Sequence, residues 1–185
     1  DTDLFVPIIN RIEELSGVLY NGQMEFKVIA DHIRTLTFAL SDGASFENYG
    51  RGYVLRRLLR RASRMGRKLN IAHTFMASLV DVVVDKYKET YPELEKNRNM
   101  VKDLITKEEE LFQKTLLQGE KRLEEIFTNS KKKIISGEDA FKLYDTYGYP
   151  IELTEELAAE RGLKVDSEGF ALKFKEHQEK SRAGS

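Results

Sequence analysis

From about Asn97 to Asn129, Val101, Leu104, Ile105, Leu111, Phe112, Leu116, Leu123, Ile126 and Phe127 recur at spacings of three and four. That period predicts a single α-helix on the order of 45 Å long, a natural spine between two lobes. Its heptads are imperfect and Gly119 sits inside it at a cost of about 1 kcal/mol, so the pattern is not that of a coiled coil. The flanking segments carry the same period. Residues 4–16 predict a short amphipathic helix closed by Gly17, and residues 25–41 set Phe26, Ile29, Ala30, Ile33, Leu36, Thr37 and Leu40 on one stripe ending at the Asp42-Gly43 turn. Over 73–89 the run Leu79, Val80, Val82, Val83 and Val84 leaves a strand as an alternative, while length and flanks favour a helix.

Beyond the rod, a loop with Lys131, Lys132 and Lys133 leads to Ser136, which can cap a helix through Gly148, with Pro150 following as a helix stop. Amphipathic segments at 152–161 and 167–182 complete the pattern, and the tail Ala183-Gly184-Ser185 is expected to be disordered. With only three prolines in 185 residues, the expected fold is all-α, a multi-helix bundle of two helical subdomains joined by a long helix.

Residues 42–69 carry the strongest functional signal. Wound as a helix, the segment after Gly50 sets Arg56, Arg57, Arg60, Arg61, Arg64 and Arg67 on one face and Val54, Leu55, Leu58, Leu59, Ala62 and Leu69 on the other. No acid lies between Arg51 and Lys68, so the arginines are not paired along their own helix, and an external polyanion is the natural ligand. Guanidinium forks clasp phosphate oxygens in pairs, which favours arginine here, but such contacts orient a nucleic acid without reading bases. The formal net charge is only −1, so the case rests on this local segregation; a basic face that docks an acidic protein, or one that is merely solvated, remains an alternative.

Catalysis has little support in the residues themselves. His32, His73 and His177 are far apart and belong to no ligand motif, and no nucleophile has a nearby base. Gly50-Arg51-Gly52 lacks the Lys and Ser/Thr of a phosphate loop. The absence of cysteine excludes disulfides and thiolate metal sites, as suits a cytoplasmic protein, and no apolar run approaches the roughly 20 residues that span a bilayer. The start at Asp1, without an initiator methionine, predicts a piece of a longer chain.

The stretches VIADHIRTLTFALSDG, ENYGRGYVLRRLLRRASRMGRKL and FKLYDTYGYPIELTEELAAERGLKVDSEGF, in this order, resemble the alanyl-tRNA synthetase family. The opening DTDLFVPIINRIEELSG is similar to the end of that family's catalytic core. The resemblance implies that residues 1–24 are the tail of the core, 25–95 a helical subdomain with the arginine helix, 96–130 the connecting helix, and 131–185 a C-terminal subdomain bearing the LYDTYG motif. It implies a module that reads a G·U wobble pair in the acceptor stem of tRNA(Ala). Asn48 and Asp145 would approach the bases, and Arg51, Arg56, Arg57, Arg60, Arg61 and Arg64 the RNA backbone. The catalytic and editing domains, with the ATP and magnesium sites, would lie outside this chain, which is expected to be monomeric and inactive alone. Phe46-Glu47-Asn48 stands where the family usually has Pro-Ser-Asn, and Asn70 stands for a usual glycine; asparagine tolerates the left-handed conformation that such a helix end needs.

Overall fold

The computed structural model describes the backbone of residues 2–130 and 133–184, with side chains from residue 4 onward. Among these residues the helices are α1 (Thr2–Ser16), α2 (Met24–Ser41), α3 (Gly50–Lys68), α4 (Met76–Tyr87), α5 (Pro92–Asn129), α6 (Gly137–Tyr147), α7 (Ile151–Glu160) and α8 (Ser167–Ala183). The all-α expectation is met. Strands β1 (Ile134–Ile135) and β2 (Lys164–Val165) form a two-rung parallel ladder that the sequence pattern did not reveal. Asp1, Lys131, Lys132 and Ser185 lie outside the described residues; Ala183, expected in a disordered tail, instead ends α8. The rod begins earlier than expected, with Pro92 in its first turn, and its 38 residues span about 57 Å.

Packing divides the chain after Phe112, within α5, into two units. In the first, α2 is the central element, burying Phe26, Ile29, Ile33, Leu36 and Leu40 against residues such as Ile8 and Ile12 of α1, Leu59 of α3, and Val83 of α4. Leu79, Val80, Val83 and Val84 are buried at helical spacing, which settles the strand alternative against the β-branched run. The polar half of α4 is tied to α5: Arg98 reaches Asp81 at 2.9 Å and Asp85 at 2.6 Å, and Lys102 reaches Asp81 at 2.7 Å. Burial opposes ionisation of Asp81, but hydrogen bonds from Lys102 and Arg98 outweigh it and hold the carboxyl below the ordinary aspartate value.

Leu111, placed on the apolar stripe of the rod by its spacing, is exposed, whereas Glu108 and Glu109 are buried. Both carboxylates have partners that lie distant in sequence. Glu109 accepts from the backbone N–H of Phe75 at 2.9 Å and of Met76 at 3.2 Å, capping a helix that has no capping side chain of its own at Phe75. Burial pushes the Glu109 carboxyl up to about 7; the two N–H groups oppose this, and neighbouring Glu110 adds to it.

The second unit buries Leu123 and Ile126 of α5, Ile135 of β1, Ala140 and Leu143 of α6, Tyr149, and Leu153 and Ala158 of α7. Ser136 accepts from the Asp139 N–H at 3.1 Å, the cap expected from the sequence, and Gly148, at φ +76°, ends α6. Tyr149 is 1% exposed and its hydroxyl donates to the Leu116 carbonyl at 2.9 Å. Its ring lies where a side chain at position 119 would be: a Cβ on Gly119 would come within 2.5 Å of the ring. Gly119, a defect by helix propensity, is the slot that admits Tyr149.

Candidate nucleic-acid interface

The loop between α2 and α3 folds back onto the start of the arginine helix. Gly52 makes this approach possible, because a Cβ there would meet the Ser45 carbonyl oxygen at 2.5 Å and the Glu47 side chain at 2.6 Å. The close approach served by Gly52 is therefore that of the loop itself. Within the loop Phe46 packs against the core, and the Ser45 hydroxyl donates to Glu47 Oε1 at 2.8 Å. The Phe46-Glu47 departure from the family pattern is thus built into the packing of the loop.

Asn48, next in the chain, is exposed, and its Oδ1 accepts from Arg56 Nη1. The same guanidinium donates from Nε to Glu108 Oε1 at 2.6 Å. Glu108 holds Arg56, and Arg56 in turn fixes the face that Asn48 presents. This corrects the expectation of six arginines open to solvent. Arg56 is neutralised across the helix pair by a carboxylate 52 positions downstream. Arg60 sits with its guanidinium 5.7 Å from the Phe112 ring centroid, and Arg64 is 6% exposed. These three residues form one i, i+4, i+8 row, two of whose members meet Glu108 and Phe112 of α5. The adjoining positions Arg57, Arg61, Arg67 and Lys68 are exposed, as is Arg51 in the first turn. The sequence showed correctly that no acid lies within α3, but the pairing acid belongs to a triplet, Glu108-Glu109-Glu110, that looks like a solvated face.

The helix ends as expected. Asn70 adopts φ +67°, the Ile71 N–H bonds to the Gly66 carbonyl and the Asn70 N–H to the Arg67 carbonyl, both at 3.0 Å.

Asp145 lies in the second unit, in the last turns of α6, half exposed. It lines a depression of about 400 Å³ between α6 and α8 with Lys142, Lys173, His177 and Lys180. His177 Nε2 is 3.9 Å from Asp145 Oδ1, and its ring packs 5.5 Å from that of Phe141. Phe141, Tyr144, Phe170 and Phe174 form the ring cluster that seats α8 on α6. Glu138 and Glu176 line the depression as well, Glu176 lying 3.9 Å from Lys173. Carboxylates and lysines side by side suit a ligand that offers a hydrogen-bond donor and phosphates together, as the edge of a nucleic-acid base with its backbone does. Nothing local in the sequence joins His177 to Asp145, because the two are 32 positions apart. The spacing Lys173, His177, Lys180 on an amphipathic helix is the one signal of it that the sequence carries.

The family model of class II (A) tRNA synthetases matches residues 1–185. The alanine–tRNA ligase of Lactococcus lactis subsp. cremoris (strain SK11) is 51% identical over 189 residues, covering 99% of this chain and 22% of that protein. The alanine–tRNA ligase of Bacillus anthracis is 52% identical over 191 residues with the same two shares. The chain therefore spans about a fifth of the length of the curated relatives it matches.

Proposed function

Because the chain belongs to the alanyl-tRNA synthetase family of class II (A) tRNA synthetases, we propose that it is the region that binds the acceptor stem of tRNA(Ala) and reads its G·U wobble pair. The parent protein would then attach alanine to that tRNA with ATP. In this reading Asp145 accepts from the guanine exocyclic amine, which a wobble pair leaves without its usual partner in the shallow minor groove of A-form RNA. Asn48, oriented by Arg56, contacts a base or sugar of the acceptor stem. Arg51, Arg57 and Arg61 grip the ribose-phosphate backbone, while Arg56 and Arg60 act from inside the α3–α5 contact and Arg64 is buried. The observation that supports this most directly is a half-exposed carboxylate, Asp145, in a depression that also brings together Lys142, Lys173, Lys180 and His177, with Glu138 and Glu176 beside them.

ATP and magnesium are proposed to bind elsewhere in the parent protein, together with its catalytic and editing domains. Among the described residues no group of three or more His, Cys, Asp or Glu side chains could hold a metal ion. Nor is any described helix long and apolar enough to cross a membrane, and a cytoplasmic site of action is part of the same proposal.

Paired minihelices carrying G·U or G·C at the same position, titrated at two salt concentrations, test the reading. Asp145→Ala is expected to reduce discrimination between them by about 1 to 3 kcal/mol while keeping most of the general affinity. Arg57→Ala is expected to weaken both equally and to flatten the salt dependence by somewhat less than one unit of log–log slope. Unchanged discrimination in Asp145→Ala would remove the base-reading role. Binding with no preference for RNA over an acidic peptide would instead favour a protein-docking surface.

A further inference from the structure

The first unit contains a pocket of about 520 Å³ that neither Asn48 nor the exposed arginine row explains. Its wall is aromatic. Phe38 of α2 stands between Tyr87 at 5.3 Å and Tyr91 at 5.4 Å, ring centre to ring centre, with both pairs edge-to-face. Tyr91 is 43% exposed, an unusual position for a large ring whose two aromatic neighbours are largely covered. Two arginines from different helices line the same pocket: Arg34 of α2, whose guanidinium lies 6.0 Å from the Tyr87 ring centroid, and Arg51 of α3. Both are exposed. Asp42 and Glu93 also line it.

Each component selects part of a ligand. An exposed aromatic face takes another π-system, and stacking is indifferent to which base supplies it. Guanidinium groups take an anion that offers two oxygens to one fork, as phosphate does. The carboxylates add acceptors for hydroxyl or amino hydrogens. A proline-rich peptide would use the rings and leave the arginines idle, and a bare anion would use the arginines and leave the rings idle. The volume lies within the range of small-ligand sites.

We propose that this pocket binds one unstacked nucleotide, its base on Tyr91, its phosphate met by Arg34 and Arg51, and its hydroxyl or amino hydrogens met by Asp42 or Glu93. The nucleotide has two conceivable sources, a mononucleotide in solution or an unpaired position of the RNA bound along α3. Only the second source rests on the tRNA reading above.

Calorimetric titration of the 185-residue chain with AMP, adenosine and ribose 5-phosphate tests the site. AMP is expected to bind at least tenfold more tightly than either part alone. Tyr91→Ala and Arg34→Ala are each expected to weaken it tenfold or more, with Tyr91→Phe retaining binding and Lys121→Ala, an exposed cation outside the pocket, leaving it unchanged. In a second arm a duplex minihelix is compared, blunt and with an unpaired purine overhang. A tenfold gain from the overhang that Tyr91→Ala abolishes, with blunt affinity untouched, identifies the RNA as the source. AMP binding without such a gain identifies the mononucleotide. If neither AMP nor the overhang shows binding that depends on both Tyr91 and Arg34, the proposal is overturned, whatever the blunt duplexes reveal about the wobble pair. Should Tyr91→Ala melt at lower temperature, Arg34→Ala, an exposed change, decides alone.

Discussion

Replacing Gly119 by alanine is expected to destabilise the second unit by about 2 to 4 kcal/mol, although alanine is the better helix former by about 1 kcal/mol. The new Cβ would stand 2.5 to 2.7 Å from three atoms of Tyr149, closer than side-chain atoms approach in proteins, so the ring would have to leave its slot. Expelling it forfeits a side chain that is 1% exposed and breaks the hydroxyl bond to the Leu116 carbonyl. Losses of about 3 to 5 kcal/mol accompany removal of a buried aromatic side chain, and the helix preference returns only part of that. A double-mutant cycle makes the test sharp. In a Tyr149→Ala background the slot is vacant, and Gly119→Ala should become stabilising by about 1 kcal/mol. Denaturant melts of the four proteins read the sign directly; an alanine at 119 that stabilises the parent would show that the ring is not held there.

Glu109 carries the second large effect, in pH rather than in mutation. Its carboxyl is pushed up to about 7 in the folded chain from an ordinary value of 4.5. Below pH 4.5 both folded and unfolded forms hold the proton. Between 4.5 and 7 the unfolded chain releases it while the folded chain retains it, so rising pH favours unfolding. Above 7 both are ionised and the loss is complete, at about 3 kcal/mol for this group. Glu109→Gln retains an acceptor for one of the two α4 N–H groups and does not titrate. The stability difference between the parent and this variant is therefore expected to shift against the parent by about 3 kcal/mol between pH 4 and pH 8. Urea melts at the two pH values check it, and a difference that stays constant would mean that Glu109 titrates normally.

The helices were legible in the sequence because burial on one face imposes a period, and residues such as Phe26, Ile29, Ile33, Leu36 and Leu40 display it without interruption. Polar burial leaves no such trace. Glu108 and Glu109 sit in an acidic triplet, and nothing local distinguishes a carboxylate that caps α4 or neutralises Arg56 from one in water. Gly119 shows the same limit in reverse: its penalty is local, and its benefit depends on a tyrosine 30 positions away. At the candidate interface the motif residues Asn48 and Asp145 were identifiable from the resemblance. The division of the arginines into a covered row, Arg56, Arg60 and Arg64, and a row facing solvent was not, since it depends on which side of α3 its neighbours cover. The two-rung ladder escaped notice because strands of two residues have no period at all.

The last helix illustrates how unevenly a small domain can be fastened. None of the residues of α8 is buried; it is anchored near its start, where the Asp166 N–H bonds to the Ile135 carbonyl and Phe170 and Phe174 meet the rings of α6. Its ring contacts with α6 fall between Phe170 and His177. Amide protons along α8 should therefore exchange with solvent in a gradient, slowest around Phe170 and fastest beyond Lys180, so that the end of the lysine stripe breathes while its beginning stays put.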